Sequence, residues 1–206
     1  LARVLGLLAR AASPEFTHLM SDAAAAICEG EVLQFQVASL ADYSYENYQR
    51  VIEGKTAALL AAACEGVALL AGASAEKRTA LRRFALAYGR AFQMQDDYLD
   101  LLGSTERLGK PVGGDLREGK ATYPVLVLIL DHGSAEARAI LERRAGRPGD
   151  VERMIELAHE HGAHHRTREK ISAEAEAALA ELEAFAPSPA LAALRQLAES
   201  ETLRVG

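Results

Sequence analysis

Cationic excess, disulfide-forming cysteines, linkers and bilayer-length apolar runs are all missing from this sequence. With 29 acidic against 23 basic side chains, the formal net charge is -6, which excludes a general nucleic-acid binder and suits a soluble protein. Only two cysteines occur, Cys28 and Cys64. Both sit in alanine-rich apolar stretches, so they read as small buried thiols in a reducing, cytoplasmic setting, with no disulfide framework. No proline-rich or Gly/Ser-rich linker and no internal repeat divides the chain, so residues 1–206 are expected to form one domain; half of the residues are apolar, enough for a sizeable core. The opening LARVLGLLARAA is too short to span a bilayer and begins without Met, inside a helical pattern. It reads as the tail of a helix, and the chain as a piece of a longer protein. A convincing Ser-His-Asp triad is lacking too, which turns attention from nucleophilic catalysis to electrostatics.

What is present is helix after helix. Ser13-Pro14-Glu15 supplies a cap, a first-turn proline and an acid, predicting a helix from about 14 to 39. On it Ile27, Glu31, Gln34 and Phe35 share one mixed face, either a partly exposed surface or a pocket wall. Ser44 starts the next helix, which runs to a stop near Gly72 and is nearly uncharged in its second half. Lys55 stands at the polar-to-apolar junction, where an isolated lysine would snorkel to water. Ser74 opens a long helix to Gly103. TYPVLVLIL at 122–130 reads as a short buried helix, followed by amphipathic helices at about 134–145, 148–162, 163–186 and 188–204. HEHGAHH at 159–165 departs from HExxH, and with Gly162 breaking the helix its histidines read as a hydrated helix end.

The chemistry concentrates between Phe92 and Lys120. At 100° per residue Gln93, Asp96 and Asp100 lie within about 60° of one another on the helix, with Asp97 to one side. Asp96 and Asp100 are like charges at i,i+4, set among apolar residues close to a helix C-terminus, and both circumstances are unfavourable without a cation. GSTERLGKPVGGDLREGK at 103–120 follows, a polar loop with five glycines. It brings Lys110, Arg117 and Lys120 within reach of the acids, and Asp115 can join them. Loops of this length in compact helical domains are more often binding loops or lids than spacers. Neighbouring carboxylates that give few ligands each suit Mg²⁺, which keeps waters and takes substrate phosphates as further partners.

CEGEVLQ at 28–34, Lys55-Thr56 after EG, FQMQDDYLD at 92–100 and GKPVGGDLREGKATYP at 109–124 occur in the order of a known family. On these blocks the chain resembles the C-terminal two-thirds of a trans-isoprenyl diphosphate synthase, or polyprenyl synthetase. The resemblance implies an all-α helical bundle around a central prenyl-chain cavity, truncated at the N-terminus. It implies a prenyltransferase that condenses an allylic prenyl diphosphate with isopentenyl diphosphate by ionisation and carbocation attack, releasing diphosphate. Asp96, Asp97 and Asp100 then match the second aspartate-rich motif that holds Mg²⁺, with Mn²⁺ as a possible substitute and Asp96 the leading direct ligand. Lys55, Lys110 and Lys120 match diphosphate contacts. Thr56 and Gln93 match positions lining the reacting end of the allylic chain. Glu31, Gln34, Phe92 and Asp115 are candidates for the cavity or for supporting contacts. A homodimer without nucleic-acid partners is expected, with a product that partitions to membrane, and GEVLQ resembles long-chain quinone-precursor synthases.

The family's first aspartate-rich motif and its isopentenyl diphosphate contacts are not found in the sequence, so the 206-residue piece alone is expected to be inactive. Two other readings remain at this point. One is a non-catalytic helical partner subunit of a heteromeric prenyl synthase; the other is a terpene cyclase-like diphosphate ioniser that needs no isopentenyl diphosphate.

Overall fold

The computed structural model describes residues 2–11, 13–103 and 111–203. Helices follow one another with no strand among the described residues, as expected for an all-α chain. After α1 (Ala2–Ala11), the hydroxyl of Ser13 accepts the amide of Phe16 at 3.2 Å and starts α2 (Pro14–Leu40). Ser44 accepts the amide of Asn47 at 3.1 Å and starts α3 (Tyr45–Ile52). The chain then widens into a π-helical turn over Glu53–Ala57 and resumes as α4 (Ala58–Leu70). Ser74 caps α5 (Ala75–Leu102), the longest helix described. Each of these serines satisfies an amide that the first helical turn leaves without a backbone partner.

The polar segment expected to be a loop at 103–120 contains a helix, α6 (Gly114–Glu118). Gly113 and Gly119 bracket it with φ of +79° and +77°, values that side-chain-bearing residues rarely adopt, so two glycines enclose the short helix and disguise it in the sequence. Next come α7 (Tyr123–Leu126), a second π-helical turn (Val127–Asp131) and α8 (Ala135–Glu142), capped by Ser134. The helix predicted to 145 stops at Glu142, because Arg144 and Ala145 turn left-handed (φ +56° and +49°). The last helices are α9 (Asp150–Glu160), α10 (Ala163–Glu181), which ends in a 3₁₀ turn at Leu182–Ala184, and α11 (Pro189–Leu203).

α5 is the axis. α4 and the first π-helical turn pack along one side of it and α10 along the other. One apolar cluster joins Met94, Tyr98 and Leu101 of α5 to Val125–Ile129, Ile140, Met154 and Ile171; a second joins Phe84 and Ala87 to Leu182, Leu191 and Ala198. Each fully buried aliphatic side chain of this kind stabilises the fold by about 1.5–3 kcal/mol. The first cluster lies beneath the acidic end of α5 and holds it rigid.

The expectation of two buried thiols needs correction, whereas the histidines lie at an exposed helix end as expected. Cys28 is exposed and Cys64 only half-buried, because the alanine-rich context of Cys28 belongs to a helix with one face outward. His159, His161 and His165 are exposed, with the His164 ring 4.5 Å from His159 and 4.0 Å from His165. Among the described residues no group of three His, Cys, Asp or Glu side chains is placed to hold a metal ion, and no helix is long and apolar enough to cross a membrane.

Away from the acidic face, Arg143 donates from Nε to Asp150 at 2.8 Å, and the amide of Arg147 donates to the same carboxylate at 3.0 Å. The Arg143 bond leads in holding the Asp150 carboxyl down at about 2, below its ordinary 3.8. A depressed carboxyl stabilises the folded state fully above its unfolded value, and that contribution disappears as pH falls through the folded value. An Asp150→Asn variant is therefore expected to melt below the wild type at pH 7, with the gap closing between about pH 4 and pH 2; a gap constant over that window in thermal melts would refute the assignment.

Candidate active site

α3, with the π-helical turn that follows it, and α5 meet at an open cleft of about 640 Å³, a volume that includes the solvent at its mouth. It is lined by polar groups, among them Gln34, Tyr48, Lys55, Gln93, Asp97 and Lys120, together with aliphatic Val37, Val51, Ile52 and Leu126. A lining of both kinds suits a ligand with a charged head and an apolar tail.

The approach of the helices depends on missing side chains. A Cβ on Gly89 of α5 would lie 2.6 Å from the Cα of Ala57, and one on Gly54 would lie 2.8 Å from the backbone oxygen of Ala26 in α2. Both are inside contact distance, so glycine at these two positions lets α2, the π-helical turn and α5 close on Lys55 and Thr56.

Within the cleft a chain of hydrogen bonds runs in one direction. Thr56 donates its hydroxyl to Gln93 Oε1 at 2.7 Å, and Gln93 donates from Nε2 to Asp97 Oδ1 at 3.0 Å. The phenol of Tyr48 donates to Asp97 Oδ2 at 2.8 Å. Burial pushes the Asp97 carboxyl up to about 7; the Gln93 and Tyr48 bonds oppose the rise, and the charges of Asp115 and Asp96 add to it. Burial first, then the Asp97 charge, pushes the Tyr48 phenol well above its usual range, so it remains a proton donor.

The cations flank this chain. Lys55 Nζ lies 2.6 Å from Gln34 Oε1 and 2.8 Å from Glu31, so it is held toward α2 and does not snorkel alone. Lys120 pairs with Asp115 at 2.9 Å and Glu118 at 2.7 Å. Burial works against its charge, but the bonds to Glu118 and Asp115 prevail and its pKa rises. The amide of Asp115 donates to Asp100 Oδ2 at 2.9 Å, and the amide of Gly113 to the Asp100 carbonyl at 2.6 Å. These two bonds tie the start of α6 to the end of α5 and carry Lys120 to the cleft.

Of the predicted residues, the structure thus brings Lys55, Thr56, Gln93, Asp97, Asp115, Lys120 and Gln34 to one cleft, with Glu31 behind Lys55. Asp100 is buried beneath the start of α6, and Asp96 is exposed. Phe92 is half-buried, with its ring 6.2 Å from that of Tyr88. Arg117 turns to its own segment, donating to the Val112 carbonyl. Lys110 lies outside the described residues. Sequence reasoning passed over Tyr48; its one signal is the seven-residue spacing to Lys55, which on a regular helix shares a face.

The sequence and the fold are shared with known proteins. The Polyprenyl synthetase family model matches residues 1–158. Octaprenyl diphosphate synthase of Escherichia coli (strain K12) is 37% identical over 200 residues, covering 95% of this chain and 61% of its own. The all-trans-nonaprenyl-diphosphate synthase (geranyl-diphosphate specific) of Rhodobacter capsulatus is 40% identical over 159 residues, 76% of this chain and 48% of its own. A crystal structure of polyprenyl synthase from Caulobacter crescentus CB15, complexed with calcium and isoprenyl diphosphate, superposes with a TM-score of 0.91 at 38% identity, covering 100% of this chain and 63% of that one. The chain spans about three-fifths of the length of the curated octaprenyl synthase it matches. On the family model, the relatives and the superposed backbone, the chain belongs to the polyprenyl synthetase family.

Proposed function

We propose that the protein is a prenyl diphosphate synthase that joins an allylic prenyl diphosphate to isopentenyl diphosphate. The observation that carries this reading is the Thr56–Gln93–Asp97 chain at a half-apolar cleft flanked by Lys55 and Lys120. The relatives' names support it.

Hard carboxylate oxygens on one helix end, with no three-carboxylate cage among the described residues, fit an ion that completes its shell with water and substrate phosphate, as Mg²⁺ does. Asp96 and Asp100 are the residues proposed to hold it, with Asp97 beside them and Mn²⁺ a substitute. Bound there, the ion neutralises charge on the departing diphosphate. Lys55 and Lys120 supply further positive charge, and Lys110 is proposed to join them. The allylic C–O bond breaks with its electron pair left on the diphosphate. The double bond of isopentenyl diphosphate attacks the resulting carbocation, and the diphosphate takes the proton that the adduct loses. The oxygens of Thr56 and Gln93 favour the positive charge, so no protein nucleophile or separate base is required. Val37, Val51, Ile52 and Leu126 give the hydrocarbon tail an apolar wall.

A homodimer is part of this reading. On α2 Val32 is 57% and Phe35 71% exposed, on the same outward side as Cys28, a stripe that a second copy would cover.

Expressed in its complete reading frame, the protein is expected to incorporate labelled isopentenyl diphosphate into longer prenyl diphosphates when supplied with an allylic primer and Mg²⁺. Release of diphosphate from the allylic primer alone, with a cyclic product and no incorporation, would instead identify a cyclase-like ioniser. Absence of both would overturn the proposal.

A further inference from the structure

The family resemblance gives Tyr48 no role, yet it ends the hydrogen-bond chain of the cleft. Its phenol reaches Asp97 Oδ2 at 2.8 Å from a different helix, and tyrosine and aspartate are 8% and 5% exposed. The ring is fixed from behind by Tyr123, centroid to centroid 5.8 Å, which itself packs against Tyr45 at 5.3 Å. Tyr48 also lines a second cavity on its far side, with Arg90, Lys170 and Glu174. It therefore stands as a partition between the cleft and that cavity and has little freedom to leave Asp97.

The consequence follows from counting donors. Ionised aspartate only accepts hydrogen bonds. Gln93 Nε2 occupies Asp97 Oδ1 and Tyr48 occupies Oδ2, so each oxygen of this carboxylate serves a protein donor. In its ionised form Asp97 accepts and does not donate, so with Tyr48 on the other oxygen it turns the Gln93 NH₂ group toward itself and the Gln93 carbonyl toward Thr56. Thr56 spends its single proton on that carbonyl, leaving its lone pairs for other neighbours. The orientation of both groups is thus decided at the far end of the chain, by the donor that holds Asp97 in place.

We propose that Tyr48 is a positioning residue: acting through Asp97, it fixes the Gln93 amide and the Thr56 hydroxyl against the reacting end of the allylic substrate, and Asp97 serves as the anchor of that chain while its neighbours on α5 serve the metal. The inference rests on the prenyltransferase reading. Its substrate-side consequence is a defect in the chemical step without a defect in diphosphate capture, since Lys55 and Lys120 do not depend on Tyr48 for their contacts.

The test uses the protein in its complete reading frame with Tyr48→Phe, Thr56→Val and the double variant. Phenylalanine keeps the ring against Tyr123 and removes one oxygen; circular dichroism verifies the fold. In Tyr48→Phe, kcat is expected to fall about 10- to 100-fold, with KM for the allylic primer and the Mg²⁺-dependent affinity for inorganic diphosphate, measured by calorimetry, within about twofold of wild type. The double variant is expected to be no slower than the slower single one, because both changes break the same chain although Tyr48 and Thr56 do not hydrogen-bond to each other. Unchanged kcat in Tyr48→Phe, or losses that multiply in the double variant, would overturn the inference while leaving the prenyltransferase reading intact. A tenfold loss of Mg²⁺-dependent diphosphate affinity in Tyr48→Phe would also overturn it, by showing Asp97 to act at the metal. No turnover by the wild type with either substrate combination would remove the functional reading and this inference with it.

Discussion

A Gly89→Ala variant is expected to lose about 1–3 kcal/mol of stability and about two orders of magnitude in turnover, although it adds one methyl group outside the polar face of the cleft. The methyl would sit 2.6 Å from Cα and 2.7 Å from Cβ of Ala57. Neither atom is the tip of a flexible side chain, so α5 and the π-helical turn must separate by a substantial fraction of an ångström. Alanine is the better helix former by about 1 kcal/mol, which offsets part of the loss without removing the overlap. The separation acts where chemistry is most sensitive: Thr56 precedes Ala57, Gln93 lies one turn beyond Gly89, and the bond between them is 2.7 Å. Thermal melts should show a drop of several degrees, roughly 2–4 °C per kcal/mol for a chain of this size. Steady-state kinetics should place the loss mainly in kcat. A variant with wild-type melting and turnover would mean that the close approach of the two helices does not determine the site.

This dependence also explains what could be read in the sequence and what could not. Ser13, Ser44, Ser74 and Ser134 each cap a helix where a serine precedes an acidic first turn, because capping is local and needs no knowledge of the fold. Lys55-Thr56 and Gln93–Asp100 were legible as chemistry by residue type and order. Their mutual geometry was not. Gln93 lies between Asp96 and Asp97 on the helix, about 60° from one and about 40° from the other. Helix periodicity cannot select between them; Tyr48, supplied by another helix 49 residues away in sequence, occupies Asp97. The widened turn at Glu53–Ala57 was equally hidden, since glycine at 54 signals a weak helix position and gives no hint that Ala26 and Gly30 of α2 lie against it. In α6 the local signals were misleading: five glycines and a proline in the surrounding polar stretch argue for loop, whereas Asp100 supplies the partner for the amide of Asp115 that makes a short helix stable there.

Asp100 is therefore expected to have two separable functions, and a pair of substitutions should divide them. Its side chain accepts the Asp115 amide, its carbonyl accepts the Gly113 amide, and its negative charge belongs to the proposed metal site. Asparagine retains an oxygen that can accept the Asp115 amide while losing the charge, so Asp100→Asn should keep α6 in place and lower turnover about 10²- to 10³-fold, the scale for removing one charge-stabilising group from a preorganised site. Alanine removes charge and acceptor together and leaves the partly buried Asp115 amide unpaired, which costs up to about 1–3 kcal/mol further. Lys120 is carried by the same segment through its bonds to Asp115 and Glu118. Release of α6 in Asp100→Ala should therefore also weaken diphosphate binding, a deficit that Asp100→Asn should not share at saturating Mg²⁺. Hydrogen exchange at the Asp115 amide reads the anchor directly: protected in wild type and in Asp100→Asn, exposed in Asp100→Ala. Equal exchange and equal diphosphate affinity in the two variants would show that α6 is held by its glycine-bounded geometry and by burial of Leu116, and that Asp100 contributes charge alone.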